Sequence, residues 1–336
     1  MREAMLYQKL PDGRVRCGLC AHRCAISEGK KGICHVRENR GGTLYTLVYG
    51  RTIAQHIDPI EKKPLFHFHP GSTSYSIATP GCNFRCAWCQ NSEISQMPRE
   101  QHLIMGTEAS PEEIVESARK ARCRSISYTY TEPTVFFEYT YETARLARSA
   151  GLANVYVSNG YMTAEMLELF HPYLDAANID LKAFREATYK KYVGAKLQPV
   201  LDSLKRMKKY GIWVEVTTLV IPAINDDPGE LKEAAEFVAT ELGVETPWHL
   251  SRFFPMYRMA DIAPTPVETL ERARDIGLEA GLRFVYVGNV ASSEGSNTVC
   301  HSCKKVVVER AGYHTKVVGL SGSQCRHCGA NLNFIL

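Results

Sequence analysis

The run Thr79-Pro80-Gly81-Cys82-Asn83-Phe84-Arg85-Cys86-Ala87-Trp88-Cys89 places three cysteines in a C-x3-C-x2-C spacing directly after the apolar, strand-like residues 75–78. Soft thiolate sulfur suits iron, and three such ligands can hold three irons of a four-iron, four-sulfur cluster. One iron is then left without a protein ligand and is open to chelation by a substrate. A zinc site usually asks for four protein ligands, often as two C-x2-C knuckles, and no fourth ligand lies close to this triplet in the sequence. Trp88, just before the last cysteine, offers a flat face to a nucleobase.

A chain of 336 residues is long enough for about two domains, a catalytic barrel plus an appendage. Hydrophobic residues make up 45% and charged residues 23%, which excludes a mainly disordered chain. The first twenty residues lack the apolar core of a signal peptide, and no apolar run reaches the length of a membrane span. These features predict a cytoplasmic protein without membrane association. In that compartment twelve cysteines point to metal ligation rather than disulfides, and eleven of them fall into three clusters. Cys123 stands apart at the end of an apparent helix and reads as a buried thiol. The net charge of +4 supports neither nucleic-acid nor membrane binding by itself. The basic run 205–209 reads as the solvated end of an amphipathic helix.

From residue 75 onward, short β-branched or aromatic runs alternate with helical ones. Residues 75–78, 125–131, 154–158, 176–181, 213–220 and 248–254 are predicted strands, and 284–287 is a seventh strand or a connector. Ser110-Pro111-Glu112-Glu113 and Asp227-Pro228-Gly229-Glu230 each open a helix with a cap, a proline and early acids. Repeated units of about thirty residues predict an α/β fold with a parallel sheet. Periodicity alone fits a barrel or a doubly wound sheet. In either, the cysteine loop follows the first strand at the end where such folds place their chemistry.

The cysteine triplet with its aromatic resembles the signature of the radical S-adenosylmethionine (radical SAM) superfamily, and the resemblance implies a partial (β/α)6 barrel. Tyr130-Thr131-Glu132-Pro133 looks like the family's Gly-Gly-Glu-Pro segment, which meets the methionyl amine. Two glycines are replaced here, so the side chains of Tyr130 and Thr131 must turn away, and Glu132 as a simple helix cap is the plainer alternative. Ser158-Asn159-Gly160 is similar to the Thr-Asn-Gly of pyruvate formate-lyase activating enzymes, which implies a ligand contact for Asn159. Asp180-Leu181-Lys182 resembles their Asp-Leu-Lys; alternation sends Asp180 and Lys182 to one face, as ligand contacts or as a rim salt bridge. Val220-Ile221-Pro222 looks like their valine-proline segment, which would pack on adenine unless it is ordinary core. On the sixth strand Arg252 either orients substrate or makes a structural ion pair.

Five ordered matches across residues 75–260 are far more specific than any one of them. The chain resembles in particular the AmmeMemoRadiSam system radical SAM enzymes, relatives of pyruvate formate-lyase activating enzyme, in a likeness that extends to residues 58–68 and the terminal cysteine pairs. It implies a [4Fe-4S] cluster on Cys82, Cys86 and Cys89, and S-adenosyl-L-methionine bound near Trp88, Thr131, Glu132, Asn159, Asp180, Lys182 and Val220. The products of reductive cleavage would be methionine and a 5'-deoxyadenosyl radical that takes hydrogen from an unidentified substrate. A one-electron reductant such as flavodoxin or ferredoxin, and a Memo-like or Amme-like protein, are the implied partners.

The flanks carry the other two cysteine groups. Cys17, Cys20, Cys24 and Cys34 can close either a zinc site, slightly favoured, or an auxiliary iron–sulfur cluster, with His22 and His35 as alternative ligands. Cys300-x2-Cys303 and Cys325-x2-Cys328, separated by the candidate strands 306–308 and 316–318, form a zinc-ribbon pattern expected to bind Zn2+. The expected organisation is a cysteine-rich segment over 1–70, the radical SAM core barrel over 71–290 and a zinc-ribbon-like module over 291–336. Residues 60–72, with Lys62, Lys63, His67 and His69, serve as a lid or anion contact, or as structure. A glycyl-radical activase, and a non-catalytic scaffold that holds RNA or protein through the ribbon, are the competing functions; nucleic-acid binding has only weak support.

Overall fold

The computed structural model describes residues 1–290 and 295–336. Its main sheet runs in sequence order through β1 (Ala54–Pro59), β2 (Thr73–Ala78), β3 (Ser125–Tyr128), β4 (Ala153–Ser158), β5 (Ala176–Asp180), β6 (Trp213–Val220), β7 (Trp248–Arg252) and β8 (Val285–Gly288). Strands β2 to β8 are parallel, and β1 joins β2 antiparallel at one edge. This is a partial (β/α) barrel. The run 284–287 thus supplies a seventh parallel strand. β1 lies within the stretch expected as the N-terminal segment, yet six residue pairs in continuous register with β2 make it part of the barrel sheet.

One principal helix fills each crossover: α1 (Pro111–Lys120), α2 (Phe137–Ser149), α3 (Ala164–Phe170), α4 (Gln198–Lys209), α5 (Pro228–Phe237) and α6 (Val267–Glu279). In α1 the Ser110 hydroxyl accepts from the Glu113 N–H while Glu113 accepts from the Ser110 N–H, a reciprocal cap that satisfies two otherwise orphaned donors. Asp227 caps α5 in the same sense. α4 buries Val200, Leu201, Leu204 and Met207, recurring at helical spacing, and leaves its lysines and arginine at the C-terminal end. Each fully buried leucine of this kind contributes roughly 1.5–3 kcal/mol. Cys123, just beyond α1, is buried as expected.

Strand β3 stops at Tyr128 rather than at residue 131, because Tyr130 has a left-handed φ of 63° that no strand accommodates. Strand β7 ends at Arg252, short of residue 254.

Residues 60–72 run beneath the barrel rather than over its mouth. Ile60, Leu65 and Phe68 pack with Val155 and Ala176, and Asn178 Nδ2 donates to the Pro64 carbonyl at 2.8 Å. The C-terminal module is an antiparallel sheet of β9 (Thr298–Val299), β10 (Val306–Ala311) and β11 (His314–Val317), followed by the short pair β12 (Leu320–Ser321) and β13 (Gln324–Cys325). Gly312, at φ 58°, makes the β10–β11 turn. The first four residues of the expected 291–336 module lie outside the described residues. Among the described residues no helix is long and apolar enough to cross a membrane.

Candidate functional site

The parallel strands deliver their carboxyl ends to one cleft of about 910 Å3. Cys82, Cys86, Trp88 and Cys89 line it from the loop after β2, Thr131 and Glu132 from the loop after β3, Asn159 after β4, and Asp180 and Lys182 around the end of β5. Gly81 begins this loop with φ 106°; a side chain there would place Cβ 2.6 Å from Val36, so the glycine permits the loop's close approach to the N-terminal segment.

Burial, reinforced by neighbouring thiols and Glu132, drives the Cys82 thiol well above its ordinary range. Burial likewise pushes Cys86 up to about 12, against the opposing Lys182 ammonium. Such thiols become thiolates when a cation compensates them. Their sulfurs are not gathered within 4.8 Å of one another, as ligands of one shared ion would be. Three cysteines that border one cavity without gathering on one ion fit as the residues that would hold a [4Fe-4S] cluster through three of its irons. The cleft also suits a polar cosubstrate. Trp88 Nε1, Asn178 Oδ1 and Thr217 Oγ1 belong to lining residues and have no hydrogen-bond partner among the described residues. Buried polar atoms in that condition normally have one.

Glu132 accepts from Asn159 N at 2.9 Å, Thr134 N at 3.0 Å and Ser158 Oγ at 2.7 Å, and also from the Thr134 hydroxyl. It both caps the helical turn Pro133–Phe136 and borders the cleft. Burial outweighs these donors and leaves its carboxyl above the ordinary range. Asn159 Nδ2 donates to Asn83 Oδ1 at 2.7 Å, which ties the end of β4 to the cysteine loop. Lys182 meets Asp180 at 2.7 Å; burial alone would lower its pKa, but Asp180 and then Cys86 raise it on balance.

Tyr130 and Thr131 both border the cleft, each with its side chain tied to a neighbouring group. Thr131 Oγ1 donates to the Thr79 carbonyl at 2.7 Å, and the Tyr130 hydroxyl bonds Asp58. Asp58 also takes Lys63 at 2.6 Å, and Lys63 sits 4.5 Å from the Tyr130 ring centre. This network holds a tyrosine in the backbone conformation that a glycine would adopt freely.

Val220 does not border this cleft. On β6 the side chains of Thr217 and Leu219 line the cleft, so alternation turns Val220 into the buried core outside it. Arg252 likewise lies outside the lining, its Nε donating to the Thr265 carbonyl, while His249 and Ser251 of the same strand face the cleft.

Sequence reading missed the floor of the site. Glu215 is fully buried and accepts from His249 Nε2 at 2.6 Å, Phe66 N at 3.0 Å, His67 N at 2.8 Å and Trp213 Nε1 at 3.0 Å. Burial pushes its carboxyl up, but His249 and these donors bring it below the ordinary range. The signal was a lone charged residue in an otherwise uncharged strand.

Cys300, Cys303, Cys325 and Cys328 bring their sulfurs within 4.8 Å of one another, the one such group among the described residues. Cys17, Cys20, Cys24 and Cys34 border a common recess but are not drawn together in that way. His22 Nε2 lies 2.9 Å from the Asn83 carbonyl.

Comparison with known proteins gives a consistent picture. The family model described as Radical SAM superfamily matches residues 76–238. An uncharacterized protein of Methanocaldococcus jannaschii is 48% identical over 338 residues, covering 100% of both chains. The pyruvate formate-lyase-activating enzyme of Listeria monocytogenes serovar 1/2a is 25% identical over 63% of this chain and 82% of its own. In structure, the chain is similar to a radical SAM methyltransferase from Sphaerobacter thermophilus, with a TM-score of 0.53 at 17% identity over 71% of each chain; that likeness concerns the fold.

Proposed function

From the premise that this chain belongs to the radical SAM superfamily, we propose that it cleaves S-adenosyl-L-methionine reductively and directs the resulting radical at a substrate held in the cleft. The observation that carries this reading is the convergence of Cys82, Cys86 and Cys89 with Asn159, Asp180 and Lys182 on one cleft at the carboxyl ends of the strands. A site-differentiated [4Fe-4S] cluster and S-adenosyl-L-methionine would supply the 5'-deoxyadenosyl radical. The residues do the rest. Lys182 and Asp180 present a charged pair for the cosubstrate's zwitterionic end, Asn159 fixes the cysteine loop, and Trp88 offers the flat face. Glu132 borders the pocket with a carboxyl already committed to four donors. Residues 60–68 and the Glu215 cluster close the floor against water, which a reactive radical requires. A one-electron reductant of the flavodoxin or ferredoxin class would supply the electron.

The C-terminal module is proposed to hold zinc. Its Cys300–Cys328 and Cys303–Cys325 sulfur distances are 3.6 and 3.7 Å. Thiolates around one zinc stand roughly 3.8 Å apart, the edge of a tetrahedron with bonds of about 2.3 Å.

The test is anaerobic reconstitution with iron and sulfide, dithionite reduction and quantification of 5'-deoxyadenosine for the wild type and Cys86→Ala. Product from the wild type alone supports the reading; none from a fully loaded, reducible wild type overturns it. A second reading, activation of a glycyl-radical partner, is favoured by the relative from Listeria monocytogenes. It predicts a glycyl-radical EPR doublet on a co-incubated partner protein.

A further inference from the structure

We propose that Cys17, Cys20, Cys24 and Cys34 hold a second, fully protein-ligated four-iron, four-sulfur cluster rather than a zinc ion. The chain carries its own yardsticks. Four thiolates that share one ion are drawn close, as the C-terminal set is, with sulfurs at 3.6 and 3.7 Å across two of its pairs. Thiolates that each terminate a different iron of a cluster stand farther apart, and the sulfurs of Cys82, Cys86 and Cys89, which hold such a cluster on the function proposed above, are likewise not gathered within 4.8 Å of one another. The N-terminal four behave like the triplet: no three of their sulfurs come within 4.8 Å of one another, although all four border one recess.

The shape of the recess agrees. It leaves about 10 Å3 for the centre of a water-sized sphere. Around a single zinc with bonds of about 2.3 Å, the four sulfur atoms nearly meet and leave no such room. Gly32 helps to keep the space open, since a Cβ there would come 3.2 Å from the Ile26 methyl and 3.7 Å from Cys24 Sγ.

A separate observation calls for an anionic group in this place. Arg37 borders the recess and is 1% exposed. Its Nη2 donates to the Met5 carbonyl at 2.7 Å and to Glu138 at 2.9 Å, but its Nε and Nη1 have no partner among the described residues. Two buried guanidinium nitrogens, which carry three N–H groups between them, are costly without acceptors. The sulfurs of an anionic cluster would accept from them and offset its charge. Arg37 by itself asks only for an anion. The spacing of the sulfurs selects the cluster. His22 is not a competing ligand through Nε2, which is engaged with the Asn83 carbonyl at 2.9 Å.

The position adds meaning. The Cys34 carbonyl lies 3.4 Å from where a Cβ on Gly81 would stand, and Cys20 bridges Met162 just beyond β4. The second site therefore sits directly behind the loop that carries the first.

The test is metal analysis of the whole chain after anaerobic reconstitution. The expected content is about eight irons, about eight acid-labile sulfides and about one zinc per chain. About four irons with two zincs, or about four irons with one zinc, would overturn the proposal while leaving cleavage of S-adenosyl-L-methionine intact. The triple variant Cys82→Ala, Cys86→Ala, Cys89→Ala is expected to retain about four irons and, once reduced, an EPR signal indifferent to added S-adenosyl-L-methionine, because four thiolates leave no iron open. If that variant does not fold, the wild-type count decides.

Discussion

At the scale of single residues, the Tyr130 network shows how a departure from a family pattern is accommodated. A tyrosine at φ 63° persists because Asp58 and Lys63 anchor its ring and hydroxyl. Lys63 is buried, and burial, only partly offset by Asp58, brings its pKa down to about 8. Removing one partner from such a pair leaves a charge without compensation, so Asp58→Ala should cost about 3–5 kcal/mol, measured as the drop in urea unfolding free energy. Asp58→Ala combined with Lys63→Met should recover most of it. The same scale marks the limits of reading from sequence. That the cysteines, Asn159, Asp180 and Lys182 share one cleft was legible because their chemistry and order survive in one dimension. Val220 stands outside the cleft lining because a strand's phase, not its composition, decides which neighbour faces inward, and Leu219 holds the inward place. Asp58 with Tyr130, and Arg37 with Glu138, lie 72 and 101 residues apart, and no local pattern joins them.

At the scale of elements, residues 60–72 link the barrel floor to the C-terminal module, and His67 is one of the side chains that make the link. His67 Nδ1 lies 3.0 Å from the Leu332 carbonyl, so that nitrogen carries the proton; Nε2 then accepts from the Tyr286 hydroxyl at 2.6 Å. Tyr286 in turn accepts from Thr298 at 2.8 Å, and Thr298 accepts from Arg310 Nη1 at 2.8 Å. In this direction the relay has His67 neutral. Burial, opposed in part by Glu215 and aided by Arg310, lowers its pKa from 6.5 to about 3. A depressed histidine contributes stability that is complete above the unfolded value near 6.5 and is lost as pH falls toward about 3. Thermal unfolding midpoints should therefore decline across that window, and His67→Phe should flatten the decline. The alternating strands and caps made the barrel's order readable in advance. The floor was not, because a segment without periodicity owes its place to partners such as Glu215 and Leu332, 148 and 265 residues away.

At the scale of the whole molecule, both flanks converge on the barrel: the N-terminal cysteines lie behind the loop of Cys82, and the C-terminal module contributes Ala311, Gly312 and Tyr313 to the cleft wall. Arg310 anchors that wall, 4.1 Å from the Phe66 ring centre and donating to the Phe66 carbonyl at 2.8 Å. Small metal modules owe much of their folding free energy to the ion. Cys303→Ser should accordingly raise amide hydrogen exchange across β9 to β11 and at Phe66 and His67, while β4 to β6 keep their protection; uniform exchange throughout would contradict this division. Spacing alone pointed to a metal-ligand set at each end but not to which metal, since four cysteines read alike in sequence whether their sulfurs close on one ion or spread over four. If the module holds zinc and the cleft cleaves S-adenosyl-L-methionine, as proposed, the shared wall would make metal supply a control on fidelity. With the module empty, the cysteine loop would still spend S-adenosyl-L-methionine, and zinc starvation would show as futile consumption of the cosubstrate before any loss of radical chemistry.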